Sequence, residues 1–466
     1  LRLFPEIRTE GDKLDFERLK LALGETVDVG KERYGMNWPG KADCFKTIQM
    51  PSLGTLRPCQ EESINFDTSE NLIIEGDNLE VLKLLQKSYL GKVKMIYIDP
   101  PYNTGNDFIY PDNYSESLQT YLEYTGQVDA EGKKFSTNTE ADGRFHSKWL
   151  NMMYPRLYLA RNLLSEAGVF LISIDDAELE NLRRACSEIF GEENLIASMV
   201  WEKGRKNDAK LISVGHEYLL VYARSVERLK ELKTVWREEK PGAKDIWEQY
   251  VRLRRQHGND DRKIEGELQS WFVALPKNHP SRKWSRYKRV DRNGPWRDDN
   301  ISWPGGDGPR YDVIHPRTGQ PCLVPERGWV FSKPETMQLR IAQGIVEFRD
   351  DHTEPPYRKS HIRPIAYEFD DADSTEVDDD IELNPEDELA TQVRGSYFYK
   401  QSQVSVKYLR KLMGAKLFDN PKDHEEIKKL ISYVIGSDSD EVVLDFFGGS
   451  GTTAEAVLQL NKEQQS

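Results

Sequence analysis

The stretch Val93-Lys94-Met95-Ile96-Tyr97-Ile98-Asp99-Pro100-Pro101-Tyr102 joins an apolar run, typical of a buried strand, to a stiff turn that opens on a carboxylate. Upstream, the β-rich run Leu72-Ile73-Ile74 is followed by Gly76-Asp77-Asn78, which ends the run and offers a helix cap. Apolar residues then recur at helical spacing from Leu79 to Leu85. This order predicts one βαβ unit of a parallel sheet. Ligands bind beyond the carboxyl ends of such strands, where Asp77 and Asp99 are expected to lie.

A second strand-to-helix turn is predicted near the other end of the sequence. An apolar run at 441–444 leads into Asp445-Phe446-Phe447-Gly448-Gly449-Ser450-Gly451-Thr452-Thr453 and then into a helical run from Ala454. Glycines allow the backbone to approach a ligand closely, and a helix start offers free N–H groups. The turn is not a P-loop, because no lysine follows its last glycine at the required place. Alone it also fits a tight structural turn, but together with the Asp-Pro-Pro-Tyr turn it indicates a cofactor site.

The chain of 466 residues is long enough for two or three domains, and its net charge of −14 is unevenly distributed. Twelve of the 21 residues at 368–388 are acidic, which predicts a solvated linker. Residues 252–297 include thirteen basic residues and only five acidic ones. Within that segment, basic side chains alternate with Trp284 and Tyr287, as a nucleic-acid surface requires. An ordinary solvated face is the other interpretation of this segment.

Several classes of protein are disfavoured by composition. No apolar stretch reaches the roughly 18 residues of a membrane span, and the first residues contain no signal-peptide core. The four cysteines include no C-x-x-C pair, which argues against a disulfide scaffold or a zinc ribbon. We therefore expect a protein of the reducing cytoplasm with no metal site.

Together the two turns resemble those of DNA amino-methyltransferases that use S-adenosylmethionine. The catalytic motif comes first and the cofactor loop last, which resembles the permuted, beta-class order. The segments at 37–41, 76–82 and 101–108 narrow the resemblance to the Mod (modification) subunits of type III restriction–modification systems. The family fold implied is α/β, a doubly wound Rossmann-like methyltransferase core with an inserted target-recognition domain. Apolar segments at 168–174 and 216–222 resemble its further core strands.

The resemblance and the charge pattern suggest a domain plan. We expect a mostly helical extension at 1–65 and the first part of the catalytic core at 66–225. The target-recognition domain is expected at 226–395, with the acidic linker 368–388, and the second part of the core at 396–466.

The resemblance also implies roles for individual residues. Asp99 and the Pro100 carbonyl would accept the two hydrogens of the target amine, Pro101 would stiffen the turn, and Tyr102 would stack on a flipped-out base. The residues implied to bind the cofactor S-adenosylmethionine are Asp77, Asp99, Phe418, Lys422, Asp445, Phe447, Gly448, Gly449, Gly451, Thr452 and Thr453. The alternative role of Asp77 is that of a helix cap only. The alternative for Phe418 is a ring in the core, and for Lys422 it is a solvated cation. Asp175 and Asp176 are expected at a strand end and a helix cap, and His216 is expected to be structural.

The implied function is methylation of the N6 amino group of adenine in duplex DNA. Candidate DNA contacts are Arg254, Arg255, Arg282, Lys283, Trp284, Arg286, Tyr287, Lys288 and Arg289. The implied partners are double-stranded DNA, a second copy of the chain in a homodimer, and a Res helicase-endonuclease subunit. A solitary DNA methyltransferase, an N4-cytosine or RNA amino-methylase, and a non-catalytic recognition subunit remain alternatives. The family usually has one more strand, with an acidic residue for the cofactor ribose, so we expect the sequence to be part of a longer protein.

Overall fold

The computed structural model describes residues 35–104, 145–204, 210–363, 389–435 and 440–464. The chain divides into two compact units, one formed by the described residues of Leu1–Trp236 and Gly395–Ser466 and the other by those of Arg237–Arg394. The part of the predicted helical extension that precedes residue 35, and the acidic run at 368–388, lie outside the described residues. None of the described helices is long and apolar enough to cross a membrane.

The helices and strands are numbered here in chain order. Before the second unit the elements are α1 (Lys41–Gln49), α2 (Asn78–Tyr89), β1 (Val93–Ile98), α3 (Phe145–Leu163), β2 (Leu164–Ile174), α4 (Leu179–Phe190), β3 (Leu195–Glu202), β4 (His216–Ala223) and α5 (Val226–Glu231). The second unit contains β5 (Glu238–Glu239), α6 (Ala243–His257), α7 (Asp261–Ala274), β6 (Arg289–Asp291), β7 (Gly294–Asp299), α8 (Pro334–Ala342), β8 (Val346–Glu347), β9 (Tyr357–His361) and β10 (Thr391–Gln392). After it come β11 (Tyr397–Tyr399), α9 (Ser402–Met413), α10 (His424–Ile435), β12 (Val442–Leu444) and α11 (Thr452–Gln464).

A six-stranded sheet organises the first unit, in the order β11-β3-β4-β2-β1-β12. Only β4 runs antiparallel to its neighbours, since β12, β1 and β2 are mutually parallel and β11 is parallel to β3. Ile96 of β1 pairs with Leu444 of β12 on one side and with Phe170 of β2 on the other. The carboxyl ends of β1 and β12 therefore meet at one edge of the sheet.

Helices cover both faces of this sheet, which confirms the doubly wound α/β fold predicted from the sequence. On one face, Ile96 and Ile98 of β1 pack with buried side chains from α2, α3 and α4. On the other, Met95 and Tyr97 pack with side chains from α10 and α11. A strand buried on both faces needs a continuous apolar run, and this explains the composition of β1. Each large side chain buried in this way contributes roughly 1.5–3 kcal/mol.

The strand predicted at Leu72-Ile73-Ile74 is wrong. The segment is irregular, and the side chains of Leu72 and Ile73 are 67% and 94% exposed. A β-rich run forms a strand only where an open strand edge accepts it, and the free edge of β1 is taken by β12 from the far end of the sequence. The predicted βαβ unit is therefore reduced to α2 and β1.

The second unit has its own antiparallel sheet, in the order β6-β7-β9-β8, and a short β5–β10 ladder. Helices α6 and α7 bury Ile246, Tyr250, Leu268 and Phe272 in one apolar core. A second, smaller core surrounds Trp329.

Candidate active site

Two aspartates follow neighbouring parallel strands at one edge of the six-stranded sheet. Asp99 follows β1 and Asp445 follows β12. The Asp445 carboxylate accepts hydrogen bonds from the Phe447 backbone N–H (2.9 Å) and from the Thr453 hydroxyl (2.6 Å). Burial raises the pKa of Asp445 to about 6 although both hydrogen bonds lower it, and the nearby Asp99 carboxylate raises it further. The site thus concentrates negative charge at this edge.

The glycine turn, residues 448–451, connects β12 to α11. Gly449 (φ 52°) and Gly451 (φ 77°) have left-handed backbone conformations, which glycine adopts at little cost. The Gly451 N–H donates to the Gly448 carbonyl over 2.8 Å. A Cβ atom built on Gly448 or Gly451 would meet nothing within 4 Å, so the side of the turn away from the chain is open. An alanine at 448 would therefore fit there.

Two side chains contact Asp99, and two more are linked to it through them. The Tyr102 hydroxyl lies 2.8 Å from Asp99 Oδ1 and 3.0 Å from Glu217 Oε2. The Lys422 ammonium lies 3.0 Å from Asp99 Oδ1 and 2.7 Å from Glu217 Oε1, and it also donates to the Tyr102 hydroxyl. Lys203 pairs with Glu217 Oε2 at 2.5 Å. We call these five residues the Asp99 cluster.

The charges of the Asp99 cluster balance, with two carboxylates against two ammonium groups. Burial raises the pKa of Glu217, but Lys422 and Lys203 outweigh it and leave this pKa below its usual range. Burial lowers the pKa of Lys422, but Asp99 and Glu217 outweigh it and leave this pKa raised. For Lys203, burial and then repulsion from Lys422 lower the pKa to about 8. Burial, with Asp99 and Glu217, raises the pKa of Tyr102 well above its usual value, so its hydroxyl keeps its proton.

Trp149 and the buried carboxylate of Glu178 fix the Asp-Pro-Pro-Tyr turn and the residue that follows it. Trp149 Nε1 donates to the Pro101 carbonyl over 2.7 Å. Asn103 has a left-handed backbone (φ 62°), and its side chain donates to Glu178 Oε1 over 2.5 Å. Glu178 is fully buried and also accepts from His146 (2.7 Å) and Asn181 (2.8 Å). Among the residues that the structure describes, none donates to the Pro100 carbonyl, which stays available as an acceptor.

The start of α2 is hydrogen-bonded to the segment that precedes the glycine turn. Asp77 caps α2 by accepting from the backbone N–H groups of Leu79 (3.0 Å) and Glu80 (3.1 Å). Asn78 Nδ2 donates to the Phe446 carbonyl over 2.7 Å, and the fully buried Arg156 donates to Asn78 Oδ1 over 2.6 Å. Asp77 therefore acts as a helix cap, which was the alternative role given for it above. Its neighbour Asn78 also connects it to the segment before the glycine turn.

The other residues implied to bind a cofactor are Phe418, Lys422, Thr452 and Thr453, and not all of them face the open side of the glycine turn. Phe418 lies beside the turn, with Cζ 3.8 Å from a Cβ built on Gly449. Lys422 reaches Asp99, whereas its carbonyl lies 3.5 Å from the Thr452 hydroxyl. The Thr453 side chain is buried and its hydroxyl donates to Asp445, so this residue holds the Asp445 carboxylate rather than facing the open side of the turn. The Thr452 hydroxyl lies 2.9 Å from that of Ser450.

Glu217, Lys203 and Glu178 were missed in the reading of the sequence. Glu217 had a detectable signal, because it is an acidic residue within the otherwise apolar strand β4. A carboxylate at such a position must have cationic or hydrogen-bonding partners. Lys203 directly follows β3 and carries no comparable signal. His216 lies 3.0 Å from the Tyr218 hydroxyl, consistent with a structural role.

The basic segment of the second unit is only partly a surface. Tyr287 is fully buried in the core between α6 and α7, so its expected contact with DNA is wrong. Arg254 is also a structural residue, because its guanidinium binds Tyr250, Asp261 and two backbone carbonyls. Arg282 donates to the Leu275 carbonyl, and Trp284 Nε1 donates to the Pro241 carbonyl over 3.0 Å. The candidates whose side chains are exposed are Arg255, Lys283, Arg286 and Lys288. Arg289 is half-buried against Trp296, with its guanidinium 5.1 Å from the ring centre.

Comparison with known proteins identifies the family. The DNA methylase family model matches residues 93–464 of the chain, from β1 to the end of α11. The chain belongs to the DNA methylase family. This match contains both the Asp-Pro-Pro-Tyr turn and the glycine turn.

Individual relatives confirm the narrower resemblance found in the sequence motifs. The chain is 34% identical to the EcoP15I Mod subunit of a type III restriction-modification enzyme from Escherichia coli, over 96% of this chain and 65% of that protein. It is 32% identical to the EcoPI Mod subunit of Escherichia phage P1, over 96% and 64%. The type II methyltransferase M.KpnI of Klebsiella pneumoniae is 28% identical, over 85% and 78%. The chain thus spans just under two thirds of the length of the two Mod subunits.

Proposed function

We propose that the chain transfers a methyl group from S-adenosylmethionine to the N6 amino group of adenine in duplex DNA. The observation that carries the proposal is the position of Asp99 and its turn at the same sheet edge as Asp445 and the glycine turn. One turn offers hydrogen-bond acceptors for an amine, and the other offers an open backbone surface for a cofactor. Both are needed for methyl transfer to an amino group.

The residues at the glycine turn fit S-adenosylmethionine. The turn is open where a Cβ at Gly448 or Gly451 would stand, and Phe418 lies beside it as an apolar wall. The negative charges of Asp445 and Asp99 suit the two positive groups of S-adenosylmethionine, its sulfonium and its α-ammonium group. Residues proposed to hold the cofactor are Asp77, Phe418, Asp445, Phe447, Gly448, Gly449, Gly451 and Thr452. When bound there, S-adenosylmethionine supplies an activated methyl group, and the chemistry resides in the cofactor.

The Asp-Pro-Pro-Tyr turn is suited to orient the target amine. Adenine must leave the helix stack to reach it, which costs a few kcal/mol. Asp99 Oδ2 and the Pro100 carbonyl would each accept one N–H, which frees the nitrogen lone pair for attack on the methyl carbon. With the bound cofactor supplying the methyl group and retaining the electron pair of the broken C–S bond, the methylated nitrogen would release one proton to water. Asp99 therefore acts by orientation and charge stabilisation. The Tyr102 ring would stack on the base.

The second unit, Arg237–Arg394, is proposed as the target-recognition domain, inserted between the two parts of the core. Its exposed Arg255, Lys283, Arg286 and Lys288 suit phosphate contacts, which position a protein without reading sequence. A Res subunit as partner is proposed from the relation to Mod subunits of type III restriction-modification enzymes. A homodimer and a cytoplasmic location are proposed from the resemblance of the sequence motifs and from the composition. A solitary methyltransferase is the alternative.

The test of this function is transfer of labelled methyl groups. The chain should label duplex DNA incubated with labelled S-adenosylmethionine, and digestion to nucleosides should place the label in N6-methyladenine. Sequencing of modified bases would give the target sequence and strand. Label in N4-methylcytosine or in RNA would contradict the adenine assignment, and absence of label in any nucleic acid would contradict the function.

Cofactor binding is expected to depend on pH through Asp445. Its pKa of about 6 means that the carboxylate is mostly protonated at pH 5 and mostly ionised at pH 7. A cationic ligand favours the ionised form, so the affinity for S-adenosylmethionine should rise about tenfold between pH 5 and 7 and then level off. Titration calorimetry across this range measures it. Asp445→Asn is the control, because its affinity should be flat; a flat profile for the unsubstituted chain would refute the role of Asp445.

A further inference from the structure

We propose that Glu217 is a positioning residue for the methyl transfer, holding Lys422 and Tyr102 on one oxygen of Asp99 so that the other oxygen receives the amine. This inference rests on the proposed function. It concerns a residue in neither turn, on a strand two places away from β1 in the sheet.

The reversed direction of β4 brings Glu217 to the site. Glu217 is the second residue of β4, which runs antiparallel to β2. The start of β4 therefore lies at the sheet edge where β1 and β2 end. A parallel strand in this place would present its last residues there instead. Glu217 pairs in register with Trp201, near the end of β3, and Lys203 follows that strand directly.

Both oxygens of Glu217 are committed within the Asp99 cluster. Oε1 accepts from Lys422, while Oε2 pairs with Lys203 and lies within hydrogen-bond distance of the Tyr102 hydroxyl. The side chain is almost completely buried, so these contacts have little competition from water. Charge-assisted hydrogen bonds of this kind are short and directional.

The two residues held by Glu217 approach Asp99 from one direction. Tyr102 and Lys422 both contact Oδ1, at 2.8 and 3.0 Å. Since both of these contacts fall on Oδ1, Oδ2 is the oxygen that we assign to the substrate amine. Because a carboxylate group is planar, holding Oδ1 in place also sets the position of Oδ2. An acceptor that is already in position speeds a reaction because it needs no reorganisation. Without Glu217, two lysines would compete for the single remaining carboxylate of the cluster.

The chain offers a control glutamate of the same charge with a similar set of partners. Glu188 on α4 binds one lysine, Lys41 (2.7 Å), and one tyrosine hydroxyl, that of Tyr154 (2.8 Å), where Glu217 binds two lysines and one tyrosine; its side chain is 15% exposed and that of Glu217 is 5% exposed. None of its partners belongs to the Asp99 cluster. A general effect of losing a buried or half-buried glutamate should therefore appear in variants at both positions. A specific effect on methyl transfer should appear only in the variant at Glu217.

The experiment compares Glu217→Gln with Glu188→Gln in single-turnover methyl transfer at saturating DNA and cofactor. Glu217→Gln should slow transfer about 10- to 100-fold and leave cofactor affinity within about twofold, whereas Glu188→Gln should transfer at the normal rate. Equal rates in Glu217→Gln and the unsubstituted chain would overturn the inference. So would a parallel loss of rate, affinity and melting temperature in both variants.

A second variant keeps the inference testable if Glu217→Gln does not fold. Tyr102→Phe keeps the ring and its stacking surface but removes the hydroxyl that links Glu217 to Asp99. It should slow transfer about tenfold with normal cofactor affinity; an unchanged rate would overturn the inference. If the unsubstituted chain transfers no methyl group, the proposed function fails and the inference fails with it. If it does, and both variants match it, only the inference fails.

Discussion

Replacing Asp99 with alanine is expected to lower the rate of methyl transfer about 100- to 1,000-fold. The change removes the acceptor proposed for the amine and also the carboxylate that binds Lys422 and Tyr102. Losing one group that is pre-set toward a reacting centre typically costs this much in rate. Single-turnover transfer to duplex DNA measures the effect, and titration calorimetry measures cofactor affinity separately.

The variant Asp99→Asn separates charge from acceptor geometry. It keeps one acceptor oxygen and the size of the side chain but removes the charge that faces Lys422. We expect it to transfer faster than Asp99→Ala and slower than the unsubstituted chain. If Asp99→Ala retained the normal rate while binding cofactor normally, Asp99 would have no part in catalysis.

Replacing Glu178 with alanine is expected to destabilise the first unit by about 3 kcal/mol, because it removes a buried carboxylate that accepts from three side chains. Asn103 would be left buried, in a left-handed backbone conformation, without this acceptor. Urea denaturation followed by circular dichroism measures the loss. Because Asn103 directly follows the Asp-Pro-Pro-Tyr turn, transfer should also slow in the folded fraction.

Glu180→Ala is the control for this prediction. Glu180 lies in the first turn of α4, the helix that begins directly after Glu178, but it is exposed, so its loss should cost less than about 1 kcal/mol. Equal stability losses in the two variants would show that the buried contacts of Glu178 contribute nothing special.

The two turns could be predicted from the sequence because each is encoded within about ten consecutive residues. An apolar run that ends on Asp99 or Asp445 identifies both the strand and the edge where it stops. Proline and glycine then limit the backbone of the turn that follows. The doubly wound sheet follows from the same local signals together with the family resemblance.

What could not be predicted depends on contacts between distant parts of the chain. Leu72-Ile73-Ile74 has the composition of a strand, but no strand edge is open to it. Glu217 reaches Asp99 only because β4 is reversed, and nothing local encodes strand direction. Tyr287 lies in the turn just before β6, within a basic run, yet its ring is part of the core. The burial of a turn residue depends on the elements that pack around it, which a local pattern of charge does not encode.

The strand order also affects how the protein folds during synthesis. Both edge strands of the sheet, β11 and β12, come from the chain after Arg237–Arg394, whereas the four central strands come before it. At 5–20 residues per second, a ribosome takes about 10–30 s to make the intervening unit. During that time the central strands have two unpaired edges and lack α10 and α11, which cover one face. Such edges and faces favour aggregation, so the nascent chain depends on protection until its last segment emerges.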